Sequence, residues 1–155
     1  MDTHAQIEQF QQLIHQQIPL TNHMGFVGID YDGRDLAFEL ALEANHNDKG
    51  TAFAGALSAG ANLCGWGAIT LLLQGEDQPY DVVIRDSRLE YMLPVTRDFR
   101  LQTRMPEPEQ IAAFVERLRE RGKARCDLQV EVIEAGQCCF RFSGSYVALR
   151  KKDWR

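Results

Sequence analysis

The sequence predicts an α+β fold in which an antiparallel sheet wraps around one long central helix. Residues 53–73 carry no charged side chain and are apolar on every side, as expected of a helix buried inside a protein. Alternating apolar and polar residues before and after this segment predict strands. The helical segment is also rich in Gly and Ala, and small residues let strands approach a helix closely. A sheet folded around this helix accounts for all three observations.

The bulk composition is that of an ordinary globular domain. The chain has 155 residues, of which 45% are hydrophobic and 25% charged, so we expect a single domain over residues 1–155. A net charge of −5 argues against a nucleic-acid partner. The polar N-terminus lacks a signal-peptide pattern, and the glycines and polar residues within 53–73 argue against a membrane span. We therefore expect a cytoplasmic protein.

The cysteine pattern does not suggest a disulfide framework or a metal site. No pair of the four cysteines has the C-x-x-C spacing, and adjacent cysteines in a strand point to opposite faces. The four are Cys64, Cys126, Cys138 and Cys139. We expect reduced thiols and assign no metal or cofactor.

Three elements are predicted ahead of the long helix. Apolar residues at helical spacing predict a helix over residues 3–18, which Pro19 ends. Residues 26–31 and 36–42 predict two strands joined by a turn at Asp32-Gly33. A polar loop over residues 44–51 then leads into the long helix.

Four strands and one short helix are predicted after it. Residues 82–92 and 99–105 form a second pair of strands. A charged helix with an apolar stripe lies between Pro106 and Gly122. Two long strands with alternating apolar residues complete the chain.

The loop and the start of the long helix carry the most informative motif. This stretch resembles the loop-to-helix motif of hot-dog-fold thioesterases and dehydratases, which in phenylacetyl-CoA-type thioesterases reads Asn-x-x-Gly-Thr-x-His-Gly-Gly. Four residues match that pattern: Asn47, Gly50, Thr51 and Gly55. Phe53 stands where the pattern has His, and Asn62 where it has a catalytic Asp. The resemblance implies a hot-dog fold over nearly the whole chain, because the order of elements agrees as well.

A closer resemblance is to the thioesterase domain at the C-terminus of YiiD-type bacterial acetyltransferases. Residues 47–55 look like the signature of that family, and Gly65-Trp66 follows it. Some members decarboxylate malonyl-ACP to acetyl-ACP in support of fatty-acid synthesis. The resemblance implies that Asn45 carries this chemistry, and the chain length suggests a stand-alone form without the acetyltransferase half.

The residue types favour decarboxylation over hydrolysis. Hydrolysis of a thioester needs a base to activate water or a carboxylate nucleophile, and residues 53–74 contain no acidic side chain. Loss of carbon dioxide from a malonyl thioester needs only a polarised carbonyl, a fixed carboxylate and exclusion of water. Asn45 and the backbone N–H groups of the Gly50–Phe53 region suit that task. We therefore predict a malonyl-ACP or malonyl-CoA decarboxylase.

Several readings stay open. The alternative enzyme is an acyl-CoA or acyl-ACP thioesterase in which His46 or Asp48 assists water, and a third reading is a non-catalytic acyl-thioester binding domain. Asn45 and Asn47 are also typical turn residues, and His46 is also typical of an exposed loop. Asn62 is compatible with a purely structural hydrogen bond. The residues assigned to substrate binding are His46, Asn47, Asp48, Gly50, Thr51, Phe53 and Asn62.

The expected partner is an acyl carrier protein or a CoA thioester. Basic residues lie on the short charged helix and at its exit, on the middle strands, and in the tail: Arg117, Arg119, Arg121, Lys123 and Arg125; Arg85, Arg88, Arg97, Arg100 and Arg104; and Arg150, Lys151, Lys152 and Arg155. They match an acidic carrier protein or CoA phosphates equally well. The hot-dog resemblance also implies a homodimer or a dimer of dimers that joins sheets edge to edge.

Overall fold

The structure, a computed structural model, describes residues 2–151. Three α-helices have the bounds α1 Thr3–Gln17, α2 Ala54–Leu73 and α3 Pro108–Arg121. Asp2 caps α1 by accepting a hydrogen bond from the N–H of His4. Gly122 ends α3 in the left-handed region at φ 73°.

Six strands form one antiparallel sheet. Their bounds are β1 Phe26–Tyr31, β2 Leu36–Leu40, β3 Tyr80–Tyr91, β4 Phe99–Arg104, β5 Lys123–Glu134 and β6 Gln137–Arg150. They lie in the order β1-β2-β4-β5-β6-β3, so β1 and β3 are the two edges. The pairing of β3 with β6 is long and contains a bulge between Ile84 and Asp86.

The central helix α2 contacts β2, β3, β4, β5 and β6 on the inner face of the sheet. It is long and apolar enough to cross a membrane, but 61% of its most apolar window is buried inside the protein. Glycines allow the close packing: a Cβ on Gly60 would lie 2.4 Å from Leu101, and one on Gly67 would lie 2.7 Å from Phe10. This is the hot-dog arrangement that the sequence predicts.

Most predicted elements agree with the structure to within two residues. The prediction for β2 was too long, because residues 42–44 turn into a short 3₁₀ helix and the N–H of Leu42 binds the carboxylate of Asp98 at 2.8 Å. The start of β3 was placed too late, since pairing with β6 begins at Tyr80. All four cysteines are free thiols in the structure.

Candidate active site at the start of the central helix

Asn45 lies at the beginning of the loop that precedes α2, and its side chain is buried. Its Nδ2 donates to the backbone carbonyl oxygens of Met24 and Ala41, each at 2.8 Å. Its backbone carbonyl oxygen accepts a hydrogen bond from the N–H of Phe53 at 2.8 Å. Both amide hydrogens are therefore engaged, and within residues 2–151 the atom without a partner is the acceptor Oδ1. Asn45, the predicted catalytic donor, therefore links three segments of the chain: the one that contains Met24, the one that contains Ala41, and the loop before α2.

Asn47 shapes the loop itself. Its Oδ1 accepts the N–H groups of Lys49 and Thr51, at 2.8 and 3.2 Å, and its Nδ2 donates to the Thr51 hydroxyl at 2.9 Å. Gly50 has φ +77°, a conformation that favours glycine, and its N–H binds the carbonyl of Asn47 at 3.2 Å. Asn47, Gly50 and Thr51 thus form a self-contained turn, which matches the turn role left open for Asn47.

His46 and Asp48 differ in their suitability as a base. Nδ1 of His46 lies 2.8 Å from the carbonyl oxygen of Asn47, which can only accept, so Nδ1 carries the hydrogen. In the neutral ring Nε2 is then free to accept a proton, and the side chain is exposed. The Asp48 carboxylate is 82% exposed and pairs with the Lys49 ammonium at 2.9 Å. Of the two, His46 has the geometry of a base.

The first turn of α2 presents free backbone donors. Phe53 is the N-cap residue, and no side chain caps the helix. Among the described residues, no protein acceptor binds the N–H groups of Ala54 and Gly55. The Phe53 ring lies over Gly55, since a Cβ there would be 2.4 Å from the ring, yet Phe53 is 54% exposed. Two donors at the positive end of the helix dipole are thus partly covered by one aromatic ring.

Asn62 lies on the half-buried face of α2. Its Nδ2 donates to the carbonyl of Ser58 at 2.9 Å, so it bonds its own helix and keeps a second amide hydrogen for another partner. The Tyr146 hydroxyl donates to the backbone carbonyl oxygen of Asn62 at 2.8 Å. Burial raises the pKa of Tyr146 far above its usual value, so the hydroxyl stays protonated and remains a donor. Gly65 permits this contact, because a Cβ there would lie 2.4 Å from the hydroxyl oxygen.

An apolar cavity of about 280 Å³ opens beside Asn62. Its walls come from Ala59 and Trp66 of α2 and from Ile18, Ile84 and Tyr146 on neighbouring elements. None of the residues that line it carries a charge. Asn62 is a predicted substrate-binding residue, but the cavity was not predictable, because Ile18 and Ile84 come from distant segments whose apolar patterns predict only a helix and a strand.

A larger groove, of about 600 Å³, lies on the outer face of the sheet. Arginines of the middle strands line it, and Arg104 and Arg125 pair with Glu131 and Asp127 at 3.0 and 2.8 Å. The loop before α2 and the helix itself contribute no residue to it. This groove is therefore separate from the candidate site.

The basic residues of α3 lie far from the start of α2 in the same chain. Arg119 binds the Glu76 carboxylate at 2.8 Å, and Glu76 follows the C-terminal end of α2. A helix of 20 residues is about 30 Å long, so this contact places Arg119 near the opposite end of α2 from Gly55. Arg150 donates to the Arg119 carbonyl at 3.1 Å. The tail residues Lys152 and Arg155 lie outside the described part of the chain.

Comparison with known proteins places this arrangement in a family. The family described as "Putative thioesterase (yiiD_Cterm)" matches residues 7–150. The chain belongs to this family. A protein with unknown function from Chlorobaculum tepidum TLS is similar in structure, with a TM-score of 0.85 and 30% identity over 93% of this chain and 94% of that one.

Two further structures have the same fold. A protein from Shewanella oneidensis described as a "putative thioesterase" has a TM-score of 0.81 and 27% identity, and the match covers 94% of this chain and 98% of that one. A thioesterase from Haemophilus influenzae has a TM-score of 0.70 and 14% identity over 96% and 94% of the two chains, which shows the fold alone.

Within this yiiD_Cterm domain the loop residues and the helix residues serve different parts of the site. Asn45, Asn47, Gly50 and Thr51 fix the loop, while Phe53 is exposed and the N–H groups of Ala54 and Gly55 have no partner among the described residues. His46 flanks them through an antiparallel bridge with Ala52. Asn62 lies about 10 Å further along the helix axis than Gly55, since each residue rises 1.5 Å. Tyr91, which the sequence analysis did not assign, joins the group by a 3.4 Å hydrogen bond to the Ala54 carbonyl.

Proposed function

We propose that this yiiD_Cterm protein decarboxylates a malonyl thioester to the acetyl thioester at the start of α2. In the reaction the bond between C2 and the carboxylate breaks, and its electron pair flows into the thioester carbonyl to form an enolate. A proton from solvent then adds to C2. The site has to stabilise the developing oxyanion and need not take up a proton.

One observation carries the proposal: free N–H donors coincide with a lack of carboxylates. The N–H groups of Ala54 and Gly55 are unbound among the described residues, and α2 contains no acidic residue along its whole length. One well-placed oxyanion donor typically lowers an activation barrier by about 3–4 kcal/mol. The hydrolases that this family resembles place an acid on the helix, whereas here the equivalent position is Asn62.

The proposed roles follow from which hydrogens are free. The N–H groups of Ala54 and Gly55 bind the thioester oxygen, and Phe53 limits access of water to them. Asn62 offers its spare amide hydrogen to the substrate. Asn45 is a positioning residue. Its side-chain amide binds the carbonyl oxygens of Met24 and Ala41, and its backbone carbonyl oxygen holds the N–H of Phe53.

Hydrolysis is the second candidate, and His46 supports it. Its hydrogen bond to the Asn47 carbonyl fixes the tautomer that leaves Nε2 free, as a general base requires. In that reaction His46 would take a proton from water that attacks the thioester carbonyl. His46→Gln is then expected to lower turnover at least a hundredfold, whereas decarboxylation needs no base and is expected to change less than threefold.

The proposed partners are an acyl carrier protein or CoA as the thiol carrier, and a second copy of the chain. Edge strand β3 offers unpaired backbone groups along 12 residues. Large exposed apolar side chains lie on it and on the loop that follows it: Ile84, Tyr91, Met92 and Leu93. Pairing of two β3 strands would cover this edge and bring the start of one α2 close to the other copy.

The deciding experiment incubates the protein with malonyl-ACP and malonyl-CoA and records intact product mass and free thiol together. Loss of the mass of carbon dioxide with the thioester intact supports decarboxylation and names the carrier. Release of free thiol without loss of carbon dioxide supports the hydrolase. Tight binding without either product supports a non-catalytic binding domain.

A further inference from the structure

The apolar cavity beside Asn62 is too large for an unsubstituted malonyl group alone. A cavity of about 150 Å³ accommodates benzene, so 280 Å³ offers room for roughly six to eight carbon atoms in an open cleft. A malonyl group has no apolar tail to fill this space. The shape of the site therefore points to a substrate with an additional alkyl chain.

The cavity lies on the same face of α2 as Gly55. Successive residues of an α-helix are 100° apart, so positions 55, 59, 62 and 66 fall on one stripe about 60° wide. Gly55 carries a free N–H, Ala59 and Trp66 line the cavity, and Asn62 lies between them. A thioester whose carbonyl is bound at Gly55 can thus extend a chain along α2 into the cavity.

The lining is suited to an alkyl group and unsuited to a carboxylate. No residue that lines the cavity is charged, and apolar side chains such as Ile18, Trp66 and Ile84 form much of its wall. The Trp66 ring packs against Phe10, with ring centroids 6.1 Å apart, which fixes the far wall. A carboxylate placed here would lose its hydration with only one amide to bind it.

We propose that the cavity binds an alkyl chain on the carbon next to the thioester carbonyl, so that the preferred substrates are 2-alkylmalonyl thioesters. This inference rests on the proposed function. The C2–carboxylate bond breaks as for malonyl, the enolate forms at the thioester, and protonation at C2 gives a straight-chain acyl thioester. Ala59 sets the length of alkyl chain that the cavity can hold, because after Gly55 it has the smallest side chain on the stripe formed by positions 55, 59, 62 and 66.

The experiment compares malonyl-CoA with ethylmalonyl-CoA and butylmalonyl-CoA on the full-length protein. Each methylene that leaves water contributes about a fourfold gain, so kcat/KM for butylmalonyl-CoA is expected to exceed that for malonyl-CoA at least tenfold. In Ala59→Phe the ring fills the cavity, and this ratio is expected to fall to about one. Ala59→Leu is expected to give an intermediate ratio. Ala112→Phe, on the exposed face of α3, is the matched control and is expected to retain the wild-type ratio.

The outcomes separate this inference from the proposed function. A wild-type ratio near one, or a ratio that Ala59→Phe leaves unchanged, overturns the alkyl-chain assignment even if malonyl-CoA is decarboxylated. Release of free thiol from hexanoyl-CoA that Ala59→Phe suppresses, with no loss of carbon dioxide from malonyl-CoA, ethylmalonyl-CoA or butylmalonyl-CoA, overturns the decarboxylase but supports the alkyl pocket. A change of oligomeric state in Ala59→Phe with an unchanged ratio shows that a second copy fills the cavity, and overturns the inference.

Discussion

The side-chain amide of Asn45 donates to the backbone carbonyl of Met24 at 2.8 Å, across 21 positions of sequence. The same nitrogen binds Ala41, so the amide ties the segment after α1 and the end of the first hairpin to the loop before α2. Among the candidate residues that the structure describes, the free donors are instead the N–H groups of Ala54 and Gly55 and the second amide hydrogen of Asn62. Loss of activity on mutation of Asn45 is therefore ambiguous unless stability is measured as well.

Asn45→Ala is expected to destabilise the protein by about 2–4 kcal/mol, because two carbonyl oxygens lose a buried donor. Urea denaturation followed by circular dichroism measures this change. We expect turnover to fall in parallel, because without the two side-chain hydrogen bonds the loop shifts, and with it the Asn45 backbone carbonyl that holds the N–H of Phe53.

Asn22→Ala is the control for Asn45→Ala. Asn22 also donates to two backbone carbonyls, those of His15 and Pro19, but it is exposed to solvent. Water replaces these bonds, so the cost is expected to stay below about 1 kcal/mol. A wild-type urea midpoint for Asn45→Ala combined with lost turnover would contradict the positioning role and restore Asn45 as a group that touches substrate.

Gly55→Ala is expected to lower kcat/KM at least tenfold while the fold remains stable. The new Cβ would lie 2.4 Å from the Phe53 ring and would push the ring off the first turn of α2. Alanine favours a helix by about 0.5–1 kcal/mol over glycine, so unfolding is not the expected cause. Gly75→Ala, where nothing lies within 4 Å of the new atom, is the control. Unchanged kinetics for Gly55→Ala would show that the position of the Phe53 ring is irrelevant.

The fold was largely predictable because its signals are periodic. The uncharged segment 53–73 and the alternating strands on either side allow few arrangements other than a sheet around a helix. The deviation at β2 has a local cause: the Asp98 carboxylate, more than fifty residues away, binds Leu42 and the chain turns there. A contact of that kind leaves no trace in the local pattern.

The positions of the candidate site residues in the fold were predictable, but their hydrogen-bond partners were predictable only in part. The motif placed the loop residues and Phe53 correctly at the start of α2. Both side-chain amide hydrogens of Asn45 are bound because the carbonyl of Met24 lies nearby in the fold. The sequence of the loop alone does not reveal this contact. The same holds for the cavity, since Ile18, Asn62 and Ile84 meet only when α1 and β3 fold onto α2.

The Glu76–Arg119 pair is expected to make stability depend on pH in the acid range. The hydrogen bond from Arg119 lowers the pKa of Glu76 below its usual value. A lowered folded-state pKa contributes stability above the unfolded-state value, about 4.3 for Glu, and that contribution is lost as pH falls through the folded pKa. Thermal melting of the wild type and Glu76→Gln between pH 7 and pH 3 tests this. The difference in melting temperature between the wild type and Glu76→Gln is expected to shrink towards pH 3. A difference that stays constant with pH would contradict a stabilising role for the ionised Glu76.

Gly65→Ala and Tyr146→Phe are expected to be coupled. The Cβ added at position 65 would lie 2.4 Å from the Tyr146 hydroxyl, which binds the Asn62 carbonyl. Such overpacking costs about 1–3 kcal/mol and would displace the tyrosine, whereas Tyr146→Phe alone loses one hydrogen bond and about 1 kcal/mol. In the double variant the closest clash is gone, so its loss of unfolding free energy is expected to be smaller than the sum of the single losses. Urea unfolding of all four proteins measures the coupling. Additive losses would show that Gly65 is not required for the approach of Tyr146.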